Sequence, residues 1–156
     1  MNSLSSRLTP VHDLDSSCDF TRATLCIYNI DPDVVTQKIG VIPTDSQKKG
    51  VPGIMPSGVE RIGRIDSWVL SSEDSNISSK DLRTHLDWLL DKTEPAAIQL
   101  QELQQIPDAK MAIRCVWWSA YGDGGPSLWP EQMERMAKLN LECGIRFAYY
   151  GKDTTK

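Results

Sequence analysis

Between Ala109 and Leu139 an apolar run ends in Trp117 and Trp118, a loop carries Gly122, Gly124 and Gly125, and a helical segment opens at Pro130. That succession leaves few folds open. Met111, Ile113, Cys115 and Trp117 alternate with Ala112, Arg114, Val116 and Trp118, so the run reads as a strand with one core face and one mixed face. The segment Gly122 to Ser127 cannot prolong it, because glycine permits positive φ and Pro126 lacks an amide donor. Pro130 suits a first helical position and Glu131 the positive end of the helix dipole; Met133, Met136, Ala137 and Asn140 mark one side.

The rest of the chain supplies the neighbours this unit needs. Residues 1–19 mix serines, aspartates and isolated leucines without period, and are expected to form a mobile tail that includes Cys18. Ala23, Leu25 and Ile27 form the aliphatic face of a first strand that can meet Ile113 and Cys115. Asp31 as N-cap, Pro32 as first residue and Gly40 as stop bracket a short helix burying Val35 and Ile39. Val41 to Gly63, with three prolines and four glycines, reads as a long connection, either a functional loop or a solvated insertion with a short edge hairpin near Val59 to Ile62. A strand resumes from Arg64 to Leu70 with its facing open. Ser78 or Ser79 then caps a helix carrying Leu82, Leu86, Leu89 and Leu90, and Glu94 and Pro95 kink it into a second, shorter one. Ile145, Phe147 and Tyr149 alternate in a terminal strand before a polar tail at 152–156.

The 156 residues suffice for one domain, expected over 20–151. The order β-α-β-α-α-β-α-β permits a parallel sheet between two helix layers, but Thr24, Arg114 and Arg146 interrupt the apolar runs, as in sheets covered on one side. The fold class is therefore α+β: a two-layer sandwich whose mixed or mainly antiparallel sheet has four to five strands, with helices on one face. Its core should include Leu25, Ile27, Leu86, Leu89, Ile113, Cys115, Met136 and Phe147.

Several segments resemble the bacterial domain-of-unknown-function family 4279. They are the first strand with Asp31, Pro32 and Asp33; Gly40 to Thr44; Lys49 and Gly50; Ser67 and Trp68; the leucine helix with Trp88; and Gly124 to Leu128 ahead of Pro130 and Glu131. The likeness spans about Ala23 to Tyr150 and implies a compact α+β fold in a bacterial protein, with no established activity attached.

The residues themselves offer little for catalysis. His12 lies in the expected tail, and His85, beside the leucine stripe, is read as exposed or at the core edge with no motif partner. Cys18, Cys26, Cys115 and Cys143 lack CxxC spacing and are expected to be free thiols, which points to the cytoplasm. No metal-ligand cluster, cofactor motif or catalytic residue is identified, and no apolar run is long enough to span a membrane. A net charge of −4 argues against a nucleic-acid surface. The candidate site is the open sheet face, where alternation aligns Tyr28, Arg114, Trp118, Arg146 and Tyr150: aromatics beside arginines make good interface anchors. Its counter-reading is that the long loop or the tail covers the face and acids pair with the arginines. The expected function is a non-catalytic protein- or peptide-binding module, immunity-like or regulatory, of unspecified oligomeric state. The alternative is a small enzyme or small-ligand protein at the Gly122 to Ser127 loop, using Tyr121, Asp123 and Arg114. Single-stranded RNA on the sheet is the third option, without an RNP motif to support it.

Overall fold

The computed structural model describes residues 6–55 and 57–151. Its elements are β1 (Cys18–Tyr28), α1 (Pro32–Ile39), β2 (Asp45–Gln47), β3 (Pro52–Ile54), β4 (Glu60–Ile62), β5 (Ser67–Ser71), α2 (Leu82–Thr93), α3 (Ala97–Leu103), β6 (Lys110–Ser119), α4 (Pro130–Lys138) and β7 (Cys143–Ala148). Five strands join in the order β2-β5-β1-β6-β7, and β3 pairs with β4 in a separate hairpin. All pairings are antiparallel except β6 with β7. The fold is thus an α+β sandwich with a mixed sheet.

Strand alternation decides which face the helices cover. Ala23 lies opposite Cys115 and Leu25 opposite Ile113, and all four are buried. Trp68 and Leu70 settle the facing of β5 by joining them in the core. Against this face α2 lays Leu82, Leu86, Leu89 and Leu90, each with at most 1% of its surface exposed; burying each contributes about 1.5–3 kcal/mol. The helix α1 adds Val35 and Ile39 and has the caps its sequence demands. The Asp31 carboxylate accepts the Asp33 amide at 2.9 Å, and Gly40 ends the helix at φ 71°, a left-handed turn that glycine takes without a Cβ clash. Pro95 separates α2 from α3 within a short 3-10 turn.

Several expectations are corrected. Residues 6–17 do not form a loose tail: they lie along α2 and α4, with the His12 amide on Asp81 and Arg7 on Glu131. Hydrogen bonds rather than apolar burial hold this segment, so hydrophobic periodicity could not reveal it. Residues 1–5 and 152–156, the remainder of the two expected tails, lie outside the described residues. Cys18 belongs to β1 and is buried, which pushes its thiol up to about 11. Phe147 is 45% exposed rather than core, because β7 is an edge strand with no further strand beside it, and Phe147 stacks on Trp117 at 5.8 Å. In α4 the inner side is Gln132, Met136 and Leu139, whereas Met133, Ala137 and Asn140 face solvent. Gln132 turns inward to accept the Trp129 amide at 2.8 Å and to donate to Asp87 at 3.0 Å. The cap of α2 is Asp81, not Ser78 or Ser79. The long connection contributes the expected hairpin as β3–β4, and also β2, three exposed residues paired to β5.

Candidate functional site

The uncovered face of the sheet carries the even-numbered residues of β1 and β6. Arg22 pairs across the strands with Val116 and Thr24 with Arg114, while Val116 lies beside Arg146 on β7. A cleft of about 390 Å³ opens there, with Thr44 and Asp45 on one side and Arg146 on the other, and Arg114 between. The long connection thus walls the cleft without closing it.

The candidate residues divide into three groups along this face. At the far end of β1 the Tyr28 hydroxyl is pushed up by burial and held back by contact with the Arg114 guanidinium. In the centre, Arg114 and Arg146 are both exposed; neither has a carboxylate partner among the described residues, and the Arg146 side chain has no hydrogen bond there either. The third arginine, Arg22, is by contrast engaged by Glu73. At the end nearest the glycine loop, half-buried Trp118 sits between Phe20, with ring centres 4.9 Å apart, and Tyr150, at 5.2 Å edge-on. The structure therefore brings Tyr28, Arg114, Trp118, Arg146 and Tyr150 onto one surface. Phe20 and Arg22 join them, and reasoning from the sequence missed both because they fall between the segment read as a tail and the expected start of the first strand at Ala23.

Tyr121 and Asp123 do not join Arg114. They lie in the exposed loop beyond Ser119, five strand residues or roughly 16 Å from Arg114 at about 3.3 Å per residue. The Ser119 hydroxyl accepts the Tyr121 and Gly122 amides at 3.3 and 2.8 Å and donates to the Asp123 carbonyl at 2.7 Å. Those amides are committed to holding the turn. Gly122, at φ 91°, also leaves only 3.2 Å between an imagined Cβ and the Tyr149 ring, so its glycine is explained by turn and packing together.

His85, expected to be exposed or at the core edge, is 1% exposed. Its Nε2 meets the Ser79 carbonyl at 2.8 Å, so that nitrogen carries the proton, and the Ser72 hydroxyl donates to Nδ1 at 2.7 Å. The same hydroxyl accepts the Ala23 amide at 3.0 Å. Burial lowers the imidazole below its ordinary range. Ser72 is fully buried, so this serine–histidine pair has no access to substrate and fastens the end of β5 to α2. Among the described residues no three histidines, cysteines or carboxylates are placed to hold a metal ion, and no helix is long and apolar enough to cross a membrane. The four cysteines are free, with Cys115 and Cys143 sulfurs 3.9 Å apart.

A family model described as a domain of unknown function, DUF4279, matches residues 19–151. No curated protein and no solved structure matches the chain.

Proposed function

Since the chain belongs to the DUF4279 family, whose description carries no activity, we propose from its own surface that it is a non-catalytic binding module whose open sheet face holds an acidic, extended segment of a partner protein. The observation that carries this reading is the pair Arg114 and Arg146, exposed on adjacent strands and without an ion pair to a carboxylate among the described residues, beside the ring cluster of Phe20, Trp118 and Tyr150. Planar guanidinium groups recognise carboxylates through paired hydrogen bonds, and rigid rings supply contact area at low entropic cost. Along β6, Arg114 and Trp118 are four residues apart, about 13 Å at strand rise. A peptide would therefore offer an acidic side chain to the arginines and an apolar one to the rings about four extended residues away.

An immunity-like or regulatory role in a bacterial cytoplasm is the specific form we favour. Free cysteines are in keeping with a reducing compartment, and the overall negative charge makes a cationic patch a local exception rather than a general property. Selection of peptides from a random display library on the immobilised protein tests the proposal. Enriched sequences should pair an acid with an apolar or aromatic residue, and Trp118→Ala should weaken their binding by more than about 1 kcal/mol, the scale that separates anchors from passive contacts, with the fold intact. Peptides without acids, or binding indifferent to Trp118, would refute it.

A further inference from the structure

On the opposite side of the molecule, residues 7–13 lie across the N-terminal ends of α2 and α4 in an arrangement that differs from ordinary packing. Leu8 is 96% exposed and Val11 41%, so the apolar side chains point outward while the main chain faces the protein. Arg83 Nη1 donates to the Thr9 carbonyl at 2.6 Å and Nη2 to the Pro10 carbonyl at 3.0 Å, and the Trp129 indole N–H reaches Thr9 as well, at 3.2 Å. In the other direction the His12 amide donates to Asp81 at 2.8 Å, and the Lys80 amide donates to the Asp13 carbonyl at 2.8 Å. Two side chains anchor the ends: Arg7 bonds both oxygens of Glu131, and Asp13 accepts from Ser79 and Thr84.

The receiving surface is built. Arg83 and Asp81 bond each other through two contacts of 2.7 and 2.9 Å, and their side chains are only 3% and 7% exposed. The Arg83 guanidinium packs over the Trp129 ring at 4.9 Å. The outer N–H groups of Arg83 donate to the carbonyls of Thr9 and Pro10, and the Asp81 carboxylate accepts the His12 amide as well as that of Arg83. The segment also lies ahead of the region that the family model matches, which begins at residue 19.

From this geometry we infer that the Asp81–Arg83–Trp129 groove is a second binding site, for an extended peptide read through its main-chain carbonyl and amide groups, and that the chain's own residues 7–13 are its exchangeable occupant. Reading carbonyls and an amide places few demands on side chains, so specificity comes from the basic residue over Glu131 and the acid at Ser79 and Thr84. The outward direction of Leu8 and Val11 fits a ligand laid on a surface rather than a strand of the core.

The test uses the full chain carrying Arg7→Ala, His12→Pro and Asp13→Ala, which removes both anchors and the amide donor while leaving the groove untouched. A fluorescent peptide with the sequence of residues 6–17 is titrated against it and against the wild type. The peptide should bind the triple variant at least tenfold more tightly than the wild type, whose own segment competes. Adding Arg83→Lys, which keeps the charge but loses the fork, should weaken that binding at least tenfold while a thermal melt still shows a cooperative fold. Hydrogen exchange at the Lys80 amide should be fast in the triple variant and slow again once peptide is added. No peptide binding, a Lys80 amide still protected in the triple variant without peptide, or binding indifferent to Arg83→Lys would each overturn the inference.

Discussion

Arg83 and Arg135 on the helix side differ from Arg114 and Arg146 on the open sheet face in one respect: what neutralises them. Arg83 is buried and forked onto Asp81. Arg135 bridges Asp91 and Glu94 at 2.6 and 2.9 Å, which tie α4 to the end of α2. On the sheet face the two guanidinium groups make no ion pair with a carboxylate among the described residues. Asp45 and Glu73 line the same cleft, but Glu73 engages Arg22 and neither acid pairs with Arg114 or Arg146, which separates arginines that hold the fold from arginines left for something else.

Removing an arginine from the first set should have the largest effect. Arg83→Ala leaves the Asp81 carboxylate buried without its counter-ion and should cost on the order of 3–5 kcal/mol, read as a shift of the urea midpoint. A loss below about 0.5 kcal/mol, the surface range, would erase the distinction between the two sets.

A smaller effect follows from the buried groups that titrate. Burial lowers His85, so the folded protein keeps it neutral below pH 6.5 while the unfolded chain takes up a proton. Stability is then fully present above pH 6.5 and declines as the pH falls from there toward the folded value. The Asp81 carboxyl is pushed up by burial, but the Arg83 guanidinium and the His12 and Arg83 amides outweigh that and leave it below its ordinary 3.8. Its contribution is lost only as the pH falls below about 4. His85→Gln should therefore flatten the stability profile in the window just below pH 6.5 and leave the steeper acid limb in place. An unchanged slope in that window would show that His85 is not the group responsible.

The two sides were not equally legible in the sequence. Period-two alternation in β1 and β6 identified both sheet faces and placed Arg114, Trp118, Arg146 and Tyr150 together, because side-chain direction in a strand follows from position alone. Caps at Asp31, Pro32 and Gly40 fixed α1 for a similarly local reason. Hidden instead were features made by pairing residues far apart: the docking of residues 7–13 on Arg83 and Trp129, the Ser72–His85 bond, and the addition of β2 to the sheet edge. Gln132 facing inward escaped notice because a capping hydrogen bond, rather than apolar character, turned it. Phe147 was misread since alternation says which face a residue lies on, not that its strand falls at the sheet edge.

The central claim is that the sheet-face arginines serve binding and not stability, and the double variant Arg114→Ala with Arg146→Ala addresses it most directly. Its unfolding free energy and its affinity for a library-selected acidic peptide are measured on the same preparation. Stability should stay within about 0.5 kcal/mol per site of the wild type, while peptide association slows and loses salt dependence, as expected when steering charges are removed. A variant that unfolds as readily as Arg83→Ala while still binding the peptide at the wild-type rate would contradict the account.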